Sequence, residues 1–287
     1  SYQPNAPVAT EQKDVFTYKI KDSDGDTAET TLTITLEPAG APSITDLTPK
    51  ADGGDTLVKE EALADGSNPT STEEKGTGTF TVKAPAGVDS VTIGGVTVID
   101  NGALVANAKV TTPLGNELVV TGYNATTGEV TYEYTLLDNE QHAAVQGKND
   151  DLFDDLAVVV TDNSTQTATG TLSVKIVDDV PMANADTDTV AAAQMTPATG
   201  NVLTGVDATG GDANTTDGVA DVPGADVPVT VSAVVATTAG GTEQTVSAGT
   251  ATVVTGSHGV LTLNADGSYS YQPNAPVATE QKDVFTY

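Results

Sequence analysis

The chain has 287 residues, and 40 Asp and Glu against 11 Lys and Arg give it a formal net charge of −29 at pH 7. Such an acidic surface repels nucleic acid and excludes that class of partner, whereas divalent cations would relieve the repulsion among its carboxylates. Cys and Trp are absent and apolar residues are 38% of the chain. We therefore expect small aliphatic cores without disulfides.

The first predicted element is a hairpin over residues 14–36, where apolar and polar residues alternate on both sides of the turn DSDGD. Further along, SVTIGGVTVI (90–99) predicts a tight hairpin that turns at Gly94–Gly95. Residues 117–136 predict a strand pair whose buried face carries Val130, Tyr132, Tyr134 and Leu136.

A second hairpin of the first kind is predicted over 154–176, and VLTLNADGSYSY (260–271) predicts a two-residue hairpin loop at Asp266–Gly267. No stretch has a convincing helical period, and no apolar run approaches the length of a membrane span. The expected fold is therefore all-β, built from β-sandwich modules in a row, with no direct membrane insertion.

An exact internal repeat sets the organisation. Residues 1–18 and 270–287 both read SYQPNAPVATEQKDVFTY, which indicates a tandem array. We expect both ends of the sequence to lie inside a module. The predicted division is 1–38, the C-terminal part of one module; 39–178, a complete longer module; and 179–287, the N-terminal part of the next copy of the first type, without its last hairpin loop and strand.

Three segments resemble the repeats of giant type I-secreted bacterial RTX adhesins: DVFTYKIKDSDGDTAETTLTITL, HGVLTLNADGSYSYQPN and VDDVPMANADTDTV. Residues from 179 onward are similar to the VCBS-type repeat, and 39–178 to its longer companion repeat. The resemblance implies immunoglobulin-like sandwiches in an elongated rod, folding in extracellular calcium at the bacterial cell surface. It also implies contacts with neighbouring repeats of the same chain, and a role in attachment and biofilm formation.

Two groups of carboxylates are candidate calcium ligands. Asp22, Asp24 and Asp26 alternate around Gly25 in one turn and offer the hard oxygen atoms that Ca²⁺ prefers. An acidic hairpin turn without an ion is the alternative. Asp178 and Asp179 stand at the predicted module boundary, where a solvated linker is the alternative to a bridging metal.

Module topology enlarges the second group. In a sandwich of this class, the last hairpin loop faces the preceding module, so the joint at 177–186 should collect acidic residues from both sides. The joint at 37–46 should hold calcium less well, because its linker EPAGAP and its facing loop DNSTQ (162–166) are poor in acid. The full set of predicted metal ligands is Asp22, Asp24, Asp26, Asp150, Asp151, Asp154, Asp162, Asp178, Asp179 and Asp186.

Catalysis finds no support in the sequence, so we expect no enzyme. His142 and His258 are solitary, which argues against zinc, and Ser and Thr have no His–Asp arrangement to activate them. The expected function is a structural stalk repeat that projects adhesive domains. The alternatives are a glycan- or ice-binding β-sandwich module and an accessory domain of a secreted polysaccharide-degrading enzyme. We also expect head-to-tail strand complementation between copies.

Overall fold

The computed structural model describes residues 1–143, 152–191, 193–206 and 218–287. Strands dominate these residues, and their helical structure is limited to two 3₁₀ turns, Lys50–Asp52 and Glu60–Ala62. No helix in these ranges is long and apolar enough to cross a membrane. The all-β prediction is therefore confirmed.

The chain divides into two compact units. The first contains Ser1–Leu63 and Thr70–Asp178, and the second contains Ala64–Pro69 and Asp179–Tyr287. One division therefore falls between Asp178 and Asp179. The finer division of the sequence into three module segments stays a prediction.

The strands of the first unit are, in chain order, β1 (Gln12–Lys21), β2 (Thr27–Leu36), β3 (Ser43–Thr45), β4 (Thr56–Lys59), β5 (Lys75–Lys83), β6 (Val88–Ile93), β7 (Val96–Asp100), β8 (Ala103–Leu104), β9 (Lys109–Thr111), β10 (Glu117–Asn124), β11 (Glu129–Thr135), β12 (Leu152–Asp162) and β13 (Thr167–Val177). Among the described strands, β1 and β2 pair only with each other. The others form a sheet of order β3-β5-β11-β10-β9 and a sheet of order β4-β13-β12-β6-β7-β8.

The core of the first unit takes residues from both larger sheets. Val130, Tyr132 and Tyr134 alternate along β11 and, with Leu136 just beyond it, are at most 2% exposed, as the sequence predicts. Other buried side chains come from β6, β12 and β13 of the second sheet. This alternation fixes the register of β11, because a one-residue slip would turn its tyrosines to solvent.

The predicted hairpins of this unit are present. β1 pairs with β2 from Gln12↔Leu36 to Lys21↔Thr27, and β12 pairs with β13 in the same antiparallel way. β6 and β7 join through Gly94 and Gly95, both with positive φ, which is the backbone that a two-residue hairpin loop requires. The parallel pairing of β4 with β13 was not predicted from the sequence.

The strands of the second unit are β14 (Ala198–Asn201), β15 (Ala233–Ala236), β16 (Gln244–Thr245), β17 (Thr252–Thr255), β18 (Gly259–Leu263), β19 (Ser268–Pro273) and β20 (Phe285–Thr286). They form a sheet of order β14-β19-β18-β17 and a sheet of order β16-β15-β20. A buried cluster that includes Val234, Val254 and Leu261 is flanked by Tyr271, Phe285 and Tyr287, which are partly buried.

The hairpin β18–β19 has a longer loop than the sequence predicts. Leu263 pairs with Tyr269, Asn264 N–H donates to Ser268 O at 2.9 Å, and Gly267 has a φ of 83°. The loop is therefore wider than the two residues Asp266–Gly267. Asp266 explains this, since its Oδ1 accepts from the amide and hydroxyl of Ser268 and holds a turn that ends in a left-handed glycine.

Candidate metal sites

The first candidate site is the turn between β1 and β2. Asp22 N–H donates to Asp26 O at 3.0 Å and closes the hairpin. Oδ1 of Asp22 in turn accepts from the amides of Gly25 at 3.0 Å and Asp26 at 2.8 Å. Gly25 has a φ of 115°, which other residues adopt only with strain. The sequence DSDGD therefore builds this turn by local hydrogen bonding.

The three carboxylates of this turn face one another at its surface. Asp22, Asp24 and Asp26 each offer an oxygen, all within 4.8 Å of one another, and all three residues are exposed. A hydrogen bond shared with Asp24, together with the amides of the turn, lowers the pKa of Asp22. The group therefore offers negatively charged oxygens, which fit a hard cation such as Ca²⁺.

The second candidate site lies inside the first unit and consists of Glu60, His142 and Asp178. Their ligand atoms lie within 4.8 Å of one another. The parallel pairing of β4 with β13 explains the approach of the two acids: Lys59 pairs with Val177, so the next residues of the two strands, Glu60 and Asp178, emerge side by side. His142 joins them from the segment that follows β11.

Glu60 is the buried centre of this second group. Its side chain is 0% exposed and that of His142 is 5% exposed. Oε1 of Glu60 lies 3.2 Å from Nε2 of His142 and accepts from the amide of Glu140 at 2.6 Å. Two carboxylates and an imidazole suit a divalent ion, and the imidazole favours Zn²⁺ or another transition ion over Ca²⁺.

The sequence presents His142 as solitary, but the structure places two acidic side chains beside it. The residues that approach it, Glu60 and Asp178, are 82 and 36 positions away in the sequence. Glu60 is not in the full set of predicted ligands, although the sequence offers Glu60 and Glu61 before Leu63 as a further ligand. The parallel β4–β13 pair is the feature that brings the group together, and hairpin patterns do not reveal it.

A hydrogen-bond network continues from this group to Asp154. Asn116 Nδ2 donates to Oε1 of Glu140 at 2.6 Å, and the amide of Asn116 donates to the hydroxyl of Thr112. That hydroxyl and the hydroxyl of Tyr134, the latter at 2.8 Å, donate to Oδ2 of Asp154. Burial first, and then the nearby Asp154 and Asp138, raise the pKa of Glu140, while its bond from Asn116 opposes this.

Asp154 and Asp162, both predicted ligands, are buried by the fold. Asp154 is 0% exposed, and no hydrogen-bond donor among the described residues reaches its Oδ1. Asp162 binds its own turn, because its Oδ1 accepts from the amide and hydroxyl of Ser164 and from the amide of Gln166. Its contacts are therefore those of an Asp that shapes a hairpin loop.

The remaining predicted ligands lie in the second unit or outside the described ranges. Both carboxylate oxygens of Asp179 accept from Ser67, at 2.7 Å from its amide and 2.6 Å from its hydroxyl. Oδ2 of Asp186 accepts from the hydroxyl of Tyr287 at 2.6 Å, and burial raises the pKa of Asp186. Asp150 and Asp151 lie outside the described residues. The described part of the chain thus groups Asp22, Asp24 and Asp26, and separately Asp178 with Glu60 and His142.

Tyrosine–aspartate hydrogen bonds recur in both units and were not predicted from the sequence. Besides Tyr134 with Asp154, the second unit contains Tyr269 with Asp188 at 2.7 Å and Tyr271 with Asp283 at 2.7 Å. In each pair the phenol hydroxyl donates to one oxygen of the carboxylate. Comparison with known proteins adds no identity: no model of a protein family and no curated protein matches the chain.

Proposed function

We propose that the chain is a structural repeat of a secreted bacterial surface adhesin, a stalk that holds adhesive domains away from the cell. The observation that carries this proposal is the exact repetition of residues 1–18 at 270–287. Near-identical copies add length to a protein, whereas a catalytic step has no need of them. The proposal includes no catalysis.

The folded units support a more specific proposal of immunoglobulin-like sandwiches in a rod. Each unit has two sheets that contribute to its buried residues, besides the separate β1–β2 pair of the first unit. Antiparallel hairpins make up most of each sheet. Tandem sandwiches of this kind bury one face of each sheet and leave the other in water.

We assign calcium the role of a stabiliser that acts outside the cell. The turn of Asp22, Asp24 and Asp26 supports this, because its exposed carboxylates offer only oxygen ligands. Extracellular modules bind Ca²⁺ with dissociation constants of about 10⁻⁴ to 10⁻³ M. A chain exported by a type I system would then have a less stable folded state at low cytosolic calcium, and its folded state would gain stability outside the cell.

Three measurements test the proposal. Thermal unfolding should occur at a higher temperature in millimolar calcium than in chelator at matched ionic strength, and identical unfolding temperatures would refute the role of calcium. Small-angle scattering on chains of one, two and three periods should give a maximum dimension that grows in proportion to the number of periods. A dimension that levels off would refute the stalk. A glycan array should show no binding, and specific binding would favour a carbohydrate-binding module.

A further inference from the structure

The repeated segment adopts the same local structure twice, in two different surroundings. In the second unit, the rings of Tyr271 and Phe285 are 6.1 Å apart at 64°, and the Tyr271 hydroxyl donates to Asp283 at 2.7 Å. In the first copy, the corresponding rings of Tyr2 and Phe16 are 6.0 Å apart at 68°, and Tyr2 donates to Asp14 at 2.5 Å. The segment therefore keeps the same ring contact and the same tyrosine–aspartate hydrogen bond in both places.

The two copies differ in what covers them. Phe285 and Tyr287 pack against the buried cluster of the second unit. Their counterparts Phe16 and Tyr18 are 47% and 49% exposed. The pairing of β1 with β2 extends this exposed face, because cross-strand pairs share one side of a sheet. Its apolar members are Phe16, Tyr18, Ile20, Ala28 and Leu32, which are exposed, and Ile34 and Leu36, which are partly buried.

Among the described strands, β20 lies at the edge of its sheet, with no strand paired on the side away from β15. Val284 O accepts from Thr237 N–H at 2.8 Å, so Val284 points its backbone groups toward β15, and Phe285 points its own to the opposite edge. The N–H of Asp22, just after β1, points toward β2. Because the β1–β2 pairing is unbroken, every second residue before Asp22, including Phe16, also points its backbone N–H and C=O toward β2. Phe16 is the counterpart of Phe285, so β2 and β15 occupy opposite edges of the same strand.

From these observations we infer that the N-terminal hairpin of one copy docks into the second unit of another copy. Residues 5–18 take the place of the identical residues 274–287, and β2 extends the sheet beyond them. The contacts to β15 are the same before and after this exchange, since the residues are the same. Cover gained by Phe16 and Tyr18 is offset by the exposure of Phe285 and Tyr287 in the displaced segment. What the exchange adds is the pairing of β2 with the sheet edge and cover for the apolar residues beyond the repeated segment, such as Ile20 and Leu32, so association is favoured. The occupant of the docking site is thus a second copy of this chain.

A cysteine pair tests this exchange in the full 287-residue chain, which has no cysteine of its own. Val235 pairs with Thr286, the counterpart of Thr17. A chain with Val235→Cys and Thr17→Cys should form disulfide-linked dimers and larger species on mild oxidation, because directly opposed residues are about 5.5 Å apart. The control chain with Val235→Cys and Thr286→Cys should close its disulfide within one molecule. Only monomers from the first pair would overturn the proposal.

Two aspartate substitutions give an independent test by analytical ultracentrifugation. Phe16→Asp should remove the concentration-dependent association of the chain, whereas Phe285→Asp should strengthen it, because it weakens the segment that competes for the same place. A merely structural role would not produce these opposite effects. Thr33→Asp, on the other face of β2, should leave association unchanged. Wild-type chains that stay monomeric at every concentration, or a Phe285→Asp chain that does so, would overturn the proposal.

Discussion

Nε2 of His142 lies 3.2 Å from Oε1 of Glu60 in the first unit, and both side chains are almost completely buried. A buried carboxylate is costly unless hydrogen bonds or an opposite charge compensate it. The imidazole and the Glu140 amide contribute to that compensation, and a divalent cation would add to it. The charge of Glu60 is therefore the property to test first.

Glu60→Gln should reduce the metal response of the first unit. Glutamine keeps an oxygen that can accept from Glu140 but removes the charge that attracts a cation. We expect the affinity for Zn²⁺ to fall by about 10-fold or more, while the response of the β1–β2 turn to Ca²⁺ stays the same. Isothermal titration with each ion separately measures both effects.

Glu73→Gln is the matched control for this substitution. Glu73 is exposed and forms an ion pair with Lys59 at 3.0 Å, one residue before Glu60. Exposed ion pairs contribute little to stability, so this variant should titrate like the wild type. Equal Zn²⁺ affinities for Glu60→Gln and Glu73→Gln would show that the buried group is not a metal site.

Tyr134→Phe should destabilise the first unit more than Tyr132→Phe. The two tyrosines lie on the same buried face of β11, but Tyr134 donates to the carboxylate of Asp154 at 2.8 Å and Tyr132 donates to the Thr56 hydroxyl at 3.3 Å. Loss of a hydrogen bond to a charged group costs about 1.5–3 kcal/mol, and loss of a neutral one about 0.5–1.5 kcal/mol. Urea unfolding followed by circular dichroism gives both values, and equal losses would contradict the role assigned to Asp154.

The double variant Asp24→Asn, Asp26→Asn should lose calcium binding at the β1–β2 turn without loss of the hairpin. The backbone bonds of the turn converge on Asp22, which the variant keeps. Calcium titration followed by the amide NMR signal of Gly25 should show a large shift in the wild type and almost none in the variant. Asp100→Asn, an exposed acid in another hairpin, is the control. A shift of equal size in both variants and the wild type would rule out an ion at this turn.

Most hairpins could be predicted from the sequence because their information is local. Alternation along β11 marks Tyr132 and Tyr134 as buried, and two glycines at 94 and 95 mark a tight turn. The Asp266 turn was predicted too short, since its width depends on a side-chain bond to Ser268. A residue pattern gives the presence of a turn more reliably than its length.

The candidate site in the first unit could not be predicted, because it depends on contacts between distant segments. Asp178 was singled out by its place in the sequence, but Glu60 and His142 reach it only through the parallel pair β4–β13. Asp186 shows the same limit in the second unit, since its hydrogen-bond donor is Tyr287. Acidic residues near a module boundary are visible in the sequence, whereas the donors that reach each of them are not.

The tyrosine–aspartate pairs predict how stability depends on pH. Burial first, and then the adjacent Asp283, raise the pKa of Tyr271 above its ordinary value. Tyr132 of the first unit, which donates to Thr56 rather than to an aspartate, has its pKa raised by burial to about 12. A raised pKa in the folded state means stability that is complete below the unfolded value of about 10 and is lost as the pH rises toward the folded value. The opposite holds for Asp283: hydrogen bonds from His258, Tyr271 and Ser257 outweigh its burial and lower its pKa.

The second unit should therefore lose stability at both ends of the pH scale, with Asp283 and Tyr271 responsible at opposite ends. The contribution of Asp283 is present above pH about 3.9 and is lost as the pH falls through its lowered folded value. Asp283→Asn should flatten the acid limb of a plot of unfolding free energy against pH. Tyr271→Phe should flatten the alkaline limb, and tyrosinate absorbance in that variant should show one fewer late-titrating phenol.

Since Tyr2 and Asp14 repeat the pair at an exposed site, Tyr2→Phe is the control and should leave both limbs as in the wild type. An alkaline limb unchanged by Tyr271→Phe would show that this phenol carries no part of the pH dependence.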